Sequence, residues 1–117
     1  MIEHLFFFIN EDIEKVAIKI FSILGNKNNF LEGDSSHVLG GAYYSVSIFG
    51  IEIRLEKNSY DYDDEYNYML RIAKDTFSDV IINTIIIKQL TNIVIALLVQ
   101  NLNLKIAYEE EGQLKVY

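Results

Sequence analysis

The stretch IEIRLEKNSYDYDDEYNYMLRIAK, residues 51–74, decides the fold. In its first part Ile51, Ile53 and Leu55 alternate with Glu52, Arg54 and Glu56, the two-residue period of a strand with one buried and one wet face. In its last part Tyr68, Leu70 and Ile72 alternate with Met69 and Arg71, which predicts a strand over 67–74, antiparallel to the first across the polar segment between them. Upstream, residues 42–49 form another β-rich run joined to this pair through Gly50.

Working outward, residues 5–9 are a short apolar run, either a buried strand or a lead-in that packs ahead of the first helix. Asn10 can cap that helix, Glu11 and Asp12 suit its positive end, and Ile13, Ala17, Ile20, Phe21 and Leu24 recur at helical spacing until Gly25. Residues 26–41 are polar and glycine-bearing, the pattern of a long surface loop. Ser78 or Asp79 can cap a helix reaching about Asn101, with Thr84, Lys88, Thr91 and Asn92 as its polar stripe and a later half expected to be almost wholly buried. The β-branched residues of 80–87 leave a strand-then-helix division open. Residues 104–108 and 113–117 read as short strands around a turn over 109–112. The expected architecture is one α+β domain over residues 1–117, with an antiparallel sheet of four to five strands and two main helices.

Composition narrows the function. Ten basic against 17 acidic residues give a net charge of -7, which disfavours nucleic acid and anionic membrane as partners and favours a basic protein. The chain has no cysteine, which removes disulfides, thiol nucleophiles and thiolate metal sites and suits a reducing compartment. Glu3 and the shortness of the first apolar run argue against an export signal, and Asn83, Lys88, Gln89 and Asn92 interrupt the apolar stretch 80–99, so that stretch reads as core rather than as a membrane span.

The loop between the two central strands is the outstanding candidate site. Asp61, Asp63, Asp64 and Glu65 repel one another, and a turn needs only one or two such residues, so the excess acidity asks for an external counter-charge. Tyr60, Tyr62, Tyr66 and Tyr68 are interleaved with them, and tyrosine is a rigid amphipathic anchor of interfaces. A second acidic cluster, Glu109, Glu110 and Glu111, extends this surface if the fold brings it near.

Other constellations are weaker. Asp61, Asp63 and Glu65 open with the rhythm of a calcium loop, but Tyr66 and Ile72 stand where glycine and a bidentate acid are needed, so no metal is expected. Asp34, Ser35, Ser36 and His37 bring together the residue types of a hydrolytic triad, but neighbours in one loop usually cap turns instead, and no catalytic residue is assigned. Gly40 and Gly41 lack any phosphate-loop pattern, so no cofactor is expected.

GDSSHVLGGAYY, IFGIEIRLEKNSYDYDDEYNY and the following MLRI, spanning about residues 33–72, resemble a small immunity protein of bacterial contact-dependent growth inhibition systems. The resemblance implies a cytoplasmic protein without catalytic activity that neutralises a cognate toxin C-terminal domain, often a nuclease, by tight binding. It places the toxin contacts on Tyr60, Asp61, Tyr62, Asp63, Asp64, Glu65 and Tyr66. A nuclease presents basic groups to phosphates, so an acidic surface complements it. The competing expectations are a small enzyme or ligand-binding domain with a pocket near His37 and Tyr43, and a weakly self-associating adaptor that pairs through the apolar second helix.

Overall fold

Strand pairing runs outward from the segment whose alternation is clearest. The structure, a computed structural model, describes residues 1–27 and 29–117; Asn28, within the loop expected over 26–41, lies outside the described residues. In chain order the elements are β1 (Ile2–Phe7), α1 (Ile13–Ile23), β2 (Leu31–Asp34), β3 (Ala42–Ile48), β4 (Ile51–Lys57), β5 (Tyr68–Lys74), α2 (Thr84–Asn101), β6 (Ala107–Glu110) and β7 (Gln113–Val116). They make one antiparallel sheet of seven strands, ordered β2-β3-β4-β5-β1-β6-β7, with two helices on one face.

The strand count exceeds the expected four to five. Part of the excess is β2, LEGD, a short exposed edge strand with a glycine and no apolar alternation to announce it. The rest is β1, which lies between β5 and β6, with Leu5 opposite both Leu70 and Tyr108. An interior strand covered on both faces loses the polar half of its period, so its sequence reads as a plain apolar run.

The helix-covered face carries Leu5 and Phe7 of β1, Tyr44 and Val46 of β3, Ile51, Ile53 and Leu55 of β4, and Leu70 and Ile72 of β5, all buried. α1 supplies Val16, Ala17, Ile20 and Phe21 to this core and packs over β3 and β4; α2 supplies Ile87, Val94, Ile95 and Leu98 and packs over β1 and β5. α1 begins after Asp12, not at Asn10. The reason is tertiary: Asn67 exchanges two hydrogen bonds with the backbone of Ile9, and the Tyr68 hydroxyl donates to the Glu11 carbonyl, so residues 9–11 are tied to β5 as a bend and do not enter the helix. The helix ends as its sequence promised, with Gly25 at φ +84° and the amides of Gly25 and Asn26 donating to the carbonyls of Ser22 and Phe21.

α2 departs further from expectation. It starts at Thr84 with the Asn83 side chain accepting from the Ile86 amide at 3.0 Å, and residues 78–82 are neither helix nor strand. Asp75 and Ser78 bond the amides of Phe77 and Val80, and those local bonds compete with a helical turn. Of its polar stripe Thr84 and Asn92 are exposed and Lys88 is half-buried, whereas Thr91 is buried with its hydroxyl bonded to the Ile87 carbonyl. The later half is buried only along Thr91, Val94, Ile95 and Leu98, leaving Ile93 and Val99 exposed. α2 is long and apolar enough to cross a bilayer by length and composition, yet one side of it is committed to the sheet.

Candidate partner-binding surface

The open face of the sheet, opposite the helices, positions the site. Along it run Tyr43, Ser45 and Ser47 of β3, Glu52, Arg54 and Glu56 of β4, Met69 and Arg71 of β5, His4 and Phe6 of β1, and Ala107 and Glu109 of β6. At its centre Arg54 and Arg71 stand opposite each other across β4 and β5, and both reach Glu52 Oε1, at 3.1 and 3.7 Å. The Arg54 guanidinium stacks 4.4 Å above the Tyr43 ring. Glu56 lies beside them almost wholly buried, and that burial pushes its carboxyl above the usual range despite the nearby arginines.

The acidic loop does not project from the sheet; it folds back over this face. Residues 61–65 form a turn in which the amides of Glu65 and Tyr66 donate to the Tyr62 carbonyl at 3.0 and 2.9 Å, with Tyr62 in the left-handed region at φ +63°. The i, i+4 spacing sets Tyr62 and Tyr66 on one side of the turn, where both pack against Phe6, Met69 and Ala107. The Tyr62 ring meets Phe6 edge-on at 5.8 Å, and Tyr60 lies 5.8 Å from His4. Tyr68 faces the opposite way, into the helix-side core against Phe7. Tyr62 and Tyr66 therefore fasten the loop down, and Tyr60 alone among these tyrosines is exposed.

Asparagines complete the clamp. Asn58 is 4% exposed; its Nδ2 donates to the carbonyls of Asp61 and Tyr66 at 3.1 and 2.9 Å, and its Oδ1 accepts from the Tyr60 amide at 2.9 Å. With one side of the turn glued to the sheet, Asp61, Asp63, Asp64 and Glu65 face solvent, and none of them has an ion-pair partner among the described residues.

The second acidic cluster is divided by the strand it sits on. Glu109 and Glu110 belong to β6 rather than to the turn, which is reduced to Glu111 and Gly112, both at positive φ. Glu109 shares a cleft with Asp61, and their two charges, after burial, push the Tyr62 phenol above its ordinary value. Glu110 points to the helix side, where Lys115 at 2.6 Å and then Lys88 at 2.9 Å lower its carboxyl to about 2. The fold thus adds Glu109 to the acidic loop and takes Glu110 into an internal ion triplet.

Near His37 the chain bonds to itself. Ser35 Oγ accepts from the His37 amide, and the Ser35 amide donates to the Gly41 carbonyl. The depression over Asp34, Ser35, Ser36 and Gly40 does not extend to Tyr43, which lines a separate groove with Ser45, Glu52 and Arg54. His37 lines neither.

No family model, curated protein or solved structure matches this chain.

His4 and Phe6, the floor on which the loop rests, are not evident as site residues in the sequence. Their alternation with Leu5 and Phe7 was the available signal, masked because His4 reads as a lone packing residue. Nor does the sequence mark the apolar end of the molecule, where Phe49 is 84%, Phe77 96% and Ile81 92% exposed. Phe49 and Gly50 form the two-residue turn between β3 and β4, with φ of +54° and +77°.

Proposed function

We propose that this protein is a stoichiometric inhibitor of the immunity type, a cytoplasmic protein without catalytic activity that binds a basic toxin domain, of nuclease type, through the surface made by Tyr60, Asp61, Asp63, Asp64, Glu65 and Glu109. The observation that carries the reading is a clamped, uncompensated negative loop: its carboxylates face solvent with no ion-pair partner among the described residues, while Tyr62, Tyr66 and Asn58 hold its backbone. A preorganised charged surface loses little entropy on docking and raises the encounter rate with an oppositely charged partner to about 10⁸ M⁻¹s⁻¹ or more at low salt. Speed matters to an inhibitor, which must reach the toxin before the toxin reaches its substrate.

The test starts from the neighbouring reading frame. Under this reading it encodes a large secreted protein ending in a basic variable domain, and that domain is toxic when expressed alone and harmless when expressed with this protein. Asp63→Lys with Asp64→Lys should then slow association and flatten its salt dependence without unfolding the protein. Full protection by the doubly substituted protein, or a neighbouring frame with no such domain, overturns the reading.

A further inference from the structure

Beside the acidic loop lies a cleft of about 320 Å³, formed where the loop, β1 and the β6–β7 turn meet. We infer that this cleft is a receptor for one cationic side chain, an arginine guanidinium in preference to a lysine ammonium, reaching in from a bound macromolecule. The inference rests on the inhibitor reading only for the source of that arginine.

The floor and one wall are aromatic. His4 stacks with Phe6 at 6.3 Å and 23°, and lies 5.8 Å from Tyr60 at 35°, so three rings from β1 and the loop border the space. Aromatic faces carry negative electrostatic potential and attract planar cations, and guanidinium stacks on them more readily than ammonium. Asp61 and Glu109 also line the cleft, one from the loop and one from β6, and neither is ion-paired among the described residues. A cation entering from outside therefore meets two unneutralised carboxylates above stacked rings.

The nearest internal cations do not fill the place. Arg71 is opposite His4 in the β1–β5 ladder, but its guanidinium turns toward Glu52. Burial and the Arg71 charge hold the His4 imidazole below its ordinary pKa, so at neutral pH the ring is an uncharged wall. No three His, Asp or Glu side chains among the described residues are grouped to hold a metal ion, which favours an organic cation. The volume sits at the small end of ligand pockets, suited to one long side chain.

The test titrates the isotopically labelled protein with N-acetyl-arginine amide and follows its backbone amides by NMR. The expected result is a saturable shift confined to the amides around His4, Phe6, Tyr60, Asp61, Glu109 and Gly112. The neutral isostere N-acetyl-citrulline amide should bind about tenfold more weakly or not at all, and Asp61→Asn with Glu109→Gln should weaken arginine binding by a similar factor. Both substitutions are nearly isosteric, and the dispersion of the same spectra verifies the fold. Equal shifts with citrulline, an unchanged titration in the substituted protein, or unsaturable shifts spread over Asp63, Asp64 and Glu111 overturn the inference. Arginine binding in the cleft combined with full protection by the Asp63/Asp64 lysine variant sinks the inhibitor reading alone; no binding combined with lost protection sinks the cleft alone.

Discussion

Asn58→Ala tests the claim that the acidic loop is held rather than merely present. The side chain makes three hydrogen bonds to loop backbone, at 3.1, 2.9 and 2.9 Å, from a position 4% exposed. At about 1 kcal/mol net for each bond, with partial rehydration of the orphaned groups, the loss is about 2–3 kcal/mol, or roughly 10 °C in Tm for a domain of this size. Asn58→Asp sharpens the test because it keeps the shape and the acceptor for the Tyr60 amide. It replaces the donor by a carboxylate oxygen facing the carbonyls of Asp61 and Tyr66, so it should destabilise more than alanine does. Urea denaturation measures both losses, and amide hydrogen exchange at Tyr60 and Tyr66 reports whether the loop opens. Neither substitution removes an acidic residue, so weaker partner binding by Asn58→Ala would reflect lost preorganisation alone. A loss below about 1 kcal/mol for alanine, or aspartate no worse than alanine, refutes the clamp.

Gly33→Ala should destabilise by about 1–3 kcal/mol and abolish the Arg54–Tyr43 stack, because a Cβ at Gly33 would overlap the Tyr43 ring and push it aside; thermal denaturation and the Arg54 side-chain NMR signal check it. Phe49→Asn should stabilise by roughly 0.5–1 kcal/mol, since asparagine suits the left-handed first position of a two-residue hairpin turn better than phenylalanine; chemical denaturation measures it. Glu110 has a folded-state pKa of about 2, below its unfolded value, so its ion triplet adds stability above the ordinary carboxylate range that is lost as pH falls through the window down to about 2; Glu110→Gln should flatten that acid limb of the stability curve. Glu56 has the opposite sign: its raised pKa means it opposes folding once ionised, so Glu56→Gln should stabilise at neutral pH and lose its advantage below the ordinary carboxylate pKa.

The parts of the fold that were legible are those where one face stays wet. β4 announces itself because Glu52, Arg54 and Glu56 lie on the open face, and its pairing with β5 follows from the single loop between two alternating runs. β1 hid because Phe6 is buried under Tyr62 and His4 lies beside Tyr60, so its open face carries no charged residue to mark the alternation. β2 hid because an edge strand of four residues carries too little pattern. The start of α2 was misplaced because Asp75 and Ser78 cap turns of their own.

The candidate site was legible in its charge and not in its orientation. Carboxylates can be counted from sequence, but the inward turn of Tyr62 and Tyr66 depends on Phe6 and Ala107, which arrive from distant strands. Their i, i+4 spacing around Asp63, Asp64 and Glu65 was the local clue. Glu109, Glu110 and Glu111 look equivalent in the sequence, and only the pleat of β6 sends Glu109 and Glu110 to opposite sides.

The strand order carries a consequence for biosynthesis. β1 emerges before both of its neighbours, so it must wait for β5 on one flank and for β6, about a hundred residues later, on the other. On the ribosome, a nascent chain ending before residue 106 can zip the β2-to-β5 meander but leaves one side of LFFF unpaired, a sticky ribbon within reach of chaperones. The β1–β6 pairing is therefore the last of this sheet to form as the chain emerges, and the yield of folded protein should respond to holdase capacity more than to elongation speed.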